Sequence, residues 1–217
     1  MRADVEAAAV AAGRGSGEES RARRRLSRAD RRAQILRVAE QVFSQRGYQG
    51  TALEDIAASV GVTRPLIYNY FADKDELYLE CLHAARGELE AAIVAAAGAH
   101  EHPRDMLRAG MVAYFTFVAE RGKRWDMLFG GGIAVAGTVA ERAEQMRFET
   151  VEKIAALIRA AAPDHPAQAA VAYAHAMSGA GEQLAKWWRR NPHIPLGDIV
   201  QYHFDMVWTG LQQVAEG

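Results

Sequence analysis

Residues 53–74 have the sequence LEDIAASVGVTRPLIYNYFADK, and this stretch decides the fold of the N-terminal part of the chain. Its first apolar residues recur at the three- and four-residue spacing of an amphipathic helix: Leu53, Ile56, Ala57 and Val60. Gly61 follows where a helix ends in a left-handed residue, because glycine adopts that conformation without a steric penalty. Thr63 is placed to begin a second helix, with Pro65 in its first turn. The stretch therefore predicts two short helices joined by a tight turn.

The second of these helices, predicted over about residues 64–71, has an apolar and a polar side. Ile67 and Phe71 can be buried on the first side. The other side carries groups that bind phosphates or base edges: Arg64, Tyr68 and Asn69. Two short helices of which the second is polar outside form the geometry with which helix-turn-helix proteins bind DNA. The alternative is a pair of packed helices in an all-α core.

The sequence on either side indicates where the neighbouring helices begin. Residues 51–54 have the form of a capping box, in which the Thr51 hydroxyl would accept from the backbone N–H of Glu54. Residues 73–76 form a second such box, and a preceding helix over about residues 31–46 should end at Gly47. Lys74 is an unusual cation in a first turn, since the helix dipole favours anions there. A phosphate near that turn would explain it.

This order of motifs resembles the N-terminal domain of the TetR family of transcriptional regulators. The residues that carry the resemblance are Gly47-Tyr48, Thr51, Ile56-Ala57, Gly61-Val62-Thr63, Tyr68-Asn69-Tyr70-Phe71 and Lys74-Asp75-Glu76-Leu77. The resemblance implies a homodimeric, all-helical regulator that binds a double-stranded DNA operator and, through its larger C-terminal domain, a small effector. The predicted DNA-binding residues are Thr51, Thr63, Arg64, Pro65, Leu66, Tyr68, Asn69, Tyr70 and Lys74. Leu66 stands where many relatives have a small polar residue, and it either contacts a thymine methyl group or packs internally.

The distribution of charge supports a DNA-binding segment. The chain of 217 residues has a net charge of −1, but residues 21–74 hold 11 Lys and Arg against 5 Asp and Glu. A basic surplus confined to the helix-turn-helix segment suits the neutralisation of phosphates. Half of the residues are hydrophobic and Ala is abundant, which favours an all-α fold. We expect a disordered arm over residues 1–26, a three-helix DNA-binding domain over 27–74, and a helical effector-binding and dimerisation domain over 75–217.

Six helices are predicted in the C-terminal part, over about residues 74–97, 103–121, 123–129, 139–162, 166–190 and 196–214. The last of them is apolar on more than one face, so it needs two partners. One partner is its own domain and the second is a neighbouring protomer, unless the helix is buried wholly within one subunit. The predicted dimer contacts are Gly181, Trp188, Phe204, Trp208 and Leu211.

An effector pocket is predicted among aromatic and flexible apolar residues of the C-terminal part: Trp125, Phe129, Met146, Tyr173 and Met177. His175 and Glu182 are polar groups in an otherwise apolar helix, and either could anchor a ligand. The alternative for each of these residues is ordinary core packing or, for the polar ones, a satisfied surface position.

The sequence favours a regulator over an enzyme. It contains no HExxH motif, nucleophile elbow or Walker loop, and Cys81 is a lone cysteine, so we expect no metal site and no cofactor. The apolar runs are too short to cross a bilayer and the N-terminus does not resemble a signal peptide, which predicts a cytoplasmic protein with no membrane partner. The expected function is a ligand-responsive transcriptional repressor. The alternative is a helical interaction protein that no longer binds DNA.

Overall fold

A computed structural model describes residues 26–130, 137–161 and 166–215, apart from the side chains at 160–161 and 211–215. The predicted disordered arm lies outside the described residues except for Leu26, and so does the side chain of Leu211, one of the predicted dimer contacts. Within the described ranges the chain forms nine helices and no strand, which confirms the predicted all-α fold. They are α1 (Arg28–Arg46), α2 (Leu53–Val60), α3 (Arg64–Tyr68), α4 (Lys74–Ala97), α5 (Pro103–Glu120), α6 (Gly122–Phe129), α7 (Thr138–Ala161), α8 (Ala167–Arg189) and α9 (Leu196–Ala215).

The chain divides into two compact units, residues 1–34 and residues 35–217. The described part of the first unit is the beginning of α1. Ser27 caps it, since its hydroxyl accepts from the Asp30 N–H at 3.0 Å and donates to the Asp30 carboxylate at 2.7 Å. In the second unit, α4 packs against α5 and α7, α5 packs against α9, and α7 packs against α8.

The predicted apolar faces of the first three helices are buried. The core of the second unit includes Ile35, Ala39, Val42 and Phe43 from α1, Ile56 from α2, and Ile67 and Phe71 from α3 and its end. Gly61 has a φ of +77° and ends α2 as predicted, and Gly47 has a φ of +70° at the end of α1. The hydrophobic spacing thus determined which side of each short helix is buried.

The capping of α2 differs from the prediction. The N-cap residue is Ala52, and its backbone N–H donates to the Asp55 carboxylate at 3.0 Å. This hydrogen bond, together with the Arg46 guanidinium at 2.8 Å, lowers the pKa of Asp55. The Thr51 hydroxyl instead donates to the carbonyl oxygen of Gly47 at 2.7 Å. The helix therefore begins one residue later than a Thr51 cap requires, because Thr51 is used to close the loop behind it.

Two other helix termini are corrected in detail. The Asp73 carboxylate accepts from the Glu76 N–H at 2.8 Å as predicted, but Glu76 accepts from the Ala72 N–H rather than from Asp73. Thr63 is the N-cap residue of α3 without a side-chain hydrogen bond, and α3 ends at Tyr68 rather than Phe71. None of the helices that the structure describes is long and apolar enough to cross a membrane.

Candidate nucleic-acid interface and effector region

α3 presents a polar face because a single buried residue orients it. Ile67 is fully buried, whereas Thr63, Pro65, Tyr68 and Asn69 are exposed and Leu66 is half-buried. Tyr68 keeps 43% of its surface exposed, a large value for an aromatic residue. The structure therefore places the predicted base-reading side chains together on one outer face.

Arg64 is held in place by two neighbours on that face. Its Nε and Nη2 donate to the Tyr68 hydroxyl at 3.2 and 2.7 Å, and its Nη1 forms an ion pair with Glu54 of α2. The Tyr68 hydrogen bond and the Glu54 charge both raise the pKa of Arg64, so the guanidinium stays charged. Glu54 was not among the predicted site residues, although it lies on the exposed side of the α2 pattern.

Lys74 makes contacts within the chain that its sequence context did not predict. Its Nζ donates to the carbonyl oxygens of Tyr48 and Thr51, both at 3.1 Å, and lies 4.1 Å from the centre of the Tyr48 ring. These contacts explain a cation in the first turn of α4 from within the chain, whereas a phosphate near Lys74 stays a prediction. Tyr48, which was not among the predicted site residues, also donates its hydroxyl to Asp75. Burial is the main cause that raises the pKa of this hydroxyl, and Asp75 adds to the effect.

Thr51 and Tyr70, two more of the predicted DNA-binding residues, lie closer to the core. Thr51 is buried and its hydroxyl is used by Gly47, so it supports the loop rather than offering a free donor to a phosphate. Tyr70 is half-buried and packs against the hydrophobic core. The exposed candidates are therefore concentrated on α3 itself.

Three of the predicted effector residues form packed core in the described structure. Trp125 is almost fully buried, donates its indole N–H to the Tyr114 hydroxyl at 3.1 Å, and has its ring 5.2 Å from that of Phe129. Burial raises the pKa of Tyr114, which keeps its hydroxyl protonated. Met177 is half-buried, and its carbonyl oxygen lies 3.2 Å from Nε2 of the buried His203.

Two concavities among the described residues lie elsewhere. A groove of about 730 Å³ runs between α4 and α5 along Ala92, Ala96, Ala109 and Ala113, and a second of about 360 Å³ lies between α4 and α7. Met146 lines the smaller one, but Trp125, Phe129, Tyr173 and Met177 line neither. Of the two candidate polar anchors, His175 is exposed with its ring near that of Phe148, and Glu182 forms an ion pair with Lys186.

The predicted dimer residues are largely used inside the protomer. A Cβ on Gly181 would lie 3.1 Å from the ring of His203, so this glycine allows α8 and α9 to approach closely within the protomer. Phe204 is buried beneath Trp208, and the Trp188 indole donates to the Ile194 carbonyl at 2.8 Å. Among the side chains of α8 and α9 that the structure describes, the large exposed apolar ones are Trp187, Tyr202 and Met206.

Comparison with known proteins agrees with this architecture. Residues 35–81 match the family model described as bacterial regulatory proteins, tetR family, and residues 103–210 match a tetracyclin repressor-like C-terminal domain. The chain is 34% identical over 105 residues to the HTH-type transcriptional activator FasR of Mycolicibacterium smegmatis, covering 48% of each chain. It is 30% identical over 145 residues to the HTH-type transcriptional repressor BepR of Brucella suis, covering 64% of this chain and 69% of BepR. The first alignment thus spans about half the length of FasR, and the second spans just over two thirds of the length of BepR.

A solved structure extends the likeness over most of the chain. A TetR-like transcriptional regulator from Rhodococcus sp. RHA1 superposes with a TM-score of 0.69 at 28% identity, covering 87% of this chain and 99% of that one. The similarity therefore includes the C-terminal helices as well as the helix-turn-helix.

Proposed function

This chain belongs to the TetR family of bacterial regulatory proteins, and we propose that it is a homodimeric transcriptional repressor that binds double-stranded operator DNA through α3 and is released by a small apolar effector. Because bacterial DNA lies in the cytoplasm, we propose that the protein acts there. The observation that carries it is the orientation of α3. Ile67 seats the helix in the core, so Arg64, Tyr68 and Asn69 face outward together. This is the arrangement by which a recognition helix reaches base edges.

Repression is proposed over activation on the longer of the two curated matches, that to BepR. The match to FasR, an activator, supports activation as a second candidate. Transcripts of the genes beside its own should rise when this gene is deleted if it represses them, and fall if it activates them.

The Arg64→Ala variant tests DNA recognition. A bidentate arginine–guanine contact contributes about 1–3 kcal/mol of discrimination, so the variant should lose that difference between a cognate and a scrambled duplex. The cognate duplex is one recovered from a randomised pool by repeated binding to the wild-type protein, and affinities are measured by fluorescence anisotropy. Equal losses on both duplexes would make Arg64 a phosphate contact.

The Lys74→Ala variant is the matched control, because it also removes one cation near the helix-turn-helix. Since Lys74 is bonded to the loop carbonyls of Tyr48 and Thr51, its loss should lower the free energy of unfolding. The slope of log affinity against log salt should stay unchanged. A fall of about one in that slope would restore the phosphate contact for Lys74.

The effector proposal rests on the aromatic cluster of Tyr114, Trp125 and Phe129. These side chains combine a large apolar surface with a hydroxyl and an indole N–H, which is the mixture typical of small-molecule sites. We propose that an aromatic or fatty-acyl effector binds by opening this cluster. A ligand shifts the protein between DNA-binding and DNA-free states only if it binds the two with different affinity.

Octanoic acid and benzoic acid are suitable probes for this effector site. Bound at the cluster, either should change the difference in fluorescence between the wild type and a Trp125→Phe variant, and should lower affinity for the selected duplex. Bound DNA should in turn lower the affinity of the protein for the probe by the same factor. If neither probe perturbs Trp125 while one still releases DNA, the effector site lies elsewhere.

A further inference from the structure

One arginine connects three helices in the second unit. Nε and Nη2 of Arg124, on α6, donate to Oε2 of Glu40 on α1 at 2.9 and 2.6 Å. Nη1 of the same guanidinium pairs with Glu88 on α4, and Glu88 also accepts from Nε of Arg121 at 3.0 Å. We name these four side chains, Glu40, Glu88, Arg121 and Arg124, the Arg124 junction.

The two carboxylates of the Arg124 junction differ in burial. The Glu40 side chain is 9% exposed, whereas that of Glu88 is 35% exposed. A carboxylate is seldom buried unless it is paired, and removing its partner leaves an uncompensated charge. The interaction of Arg124 with Glu40 is also screened less by salt than an exposed pair would be. Of the two connections, the one to α1 is therefore the more tightly coupled to the position of Arg124.

The neighbours of both partners connect this ion pair to the two functional regions. Arg124 directly precedes Trp125 on the eight-residue helix α6, so a movement of the Trp125 indole that shifts the helix moves the guanidinium with it. Glu40 directly follows the fully buried Ala39 on α1. Ala39, Ile35 and Phe43 form the buried face of α1, and they belong to the same hydrophobic core as Ile67 of α3.

We propose that Arg124 is a positioning residue that couples the aromatic cluster directly to α1 through Glu40, in addition to any coupling through α4. The inference rests on the proposed function, since it describes how an effector changes the placement of α3. When a ligand displaces α6, either Glu40 moves together with Arg124, or the two separate and the buried carboxylate of Glu40 is left without its partner. Either outcome disfavours the arrangement of α1 that seats α3 for DNA binding.

The coupling is reciprocal, so it can be measured without an effector. Hydrogen exchange of the α6 amides, residues 122–129, is followed by mass spectrometry in the full chain with and without the duplex selected by the wild type. Because allosteric coupling factors are typically about 5–150, DNA should slow exchange in wild-type α6 by about fivefold or more. In Glu40→Gln, which keeps the shape and a hydrogen-bond acceptor but removes the charge, most of this slowing should disappear.

Glu88→Gln is the matched control, because it makes the same chemical change at the connection from Arg124 to α4. It should keep most of the slowing. Arg124→Gln, which removes both connections, should behave like Glu40→Gln, and circular dichroism establishes that each variant is folded. If Glu40→Gln is unstable, the same comparison is made between Arg124→Gln and Glu88→Gln.

The outcomes separate this inference from the proposed function. If the selected duplex slows exchange of α6 equally in the wild type and in Glu40→Gln, or slows it in neither protein, the proposed role of Arg124 is overturned while DNA binding stands. Loss of the slowing in Glu88→Gln but not in Glu40→Gln assigns the coupling to α4 and also overturns it. If the wild-type protein retains no duplex from the pool, the proposed function fails and the inference fails with it.

Discussion

Tyr202→Glu combined with Met206→Glu is expected to convert the proposed dimer into a monomer and to lower affinity for the selected duplex by about 10²–10⁴-fold. These two side chains are 54% and 53% exposed in the protomer and lie four residues apart on α9, so they share one outward face. Acidic groups there remain hydrated in a monomer, whereas at a dimer interface they would be desolvated without partners. Sedimentation equilibrium measures the mass, and fluorescence anisotropy measures the DNA affinity.

The size of the effect on DNA follows from bivalent binding. Two linked recognition helices that reach half-sites about 34–36 Å apart bind far more tightly than one. Val94→Glu is the control, since it introduces an acid at another exposed apolar position, on α4, whose side chain is 66% exposed. It should leave both mass and affinity unchanged. A folded double variant that still sediments as a dimer would show that the dimer interface does not include this face of α9.

Ile67→Ala is expected to lower the free energy of unfolding by about 2–5 kcal/mol, as truncation of a fully buried isoleucine typically does. Ile67 is the only residue of the five-residue α3 that is buried, so the loss also unseats the face that carries Arg64 and Tyr68. Affinity for the selected duplex should fall with stability. Urea unfolding followed by circular dichroism gives the free energy, and anisotropy gives the affinity.

Leu66→Ala is the matched truncation on the same helix. Leu66 is half-buried, so less apolar surface returns to water and the loss of stability should be smaller than for Ile67→Ala. If Leu66 contacts a thymine methyl group, its variant should instead lose discrimination between duplexes. Equal losses of stability in the two variants would show that Ile67 does not anchor α3.

Local sequence signals located the helices and the outward face of α3. The spacing of Leu53, Ile56 and Ala57 defined the buried side of α2, and Gly61 ends that helix where predicted. The C-terminal helices begin and end within about one residue of the predicted positions, for example α4 at Lys74–Ala97. These features were accessible because helical periodicity, caps and left-handed glycines depend on residues only three or four positions apart.

What the sequence by itself determined was therefore the all-α fold, the family, and the set of side chains on the outward face of α3. Only the tertiary structure decided the partners of the remaining residues. In it, Lys74 donates to the loop carbonyls, Trp125 donates to the Tyr114 hydroxyl, and Arg124 pairs with the carboxylate of Glu40, 84 positions away. The sequence shows that an apolar or charged residue needs a partner, but it does not show which residue that partner is. The partner is determined only when helices distant in sequence pack together.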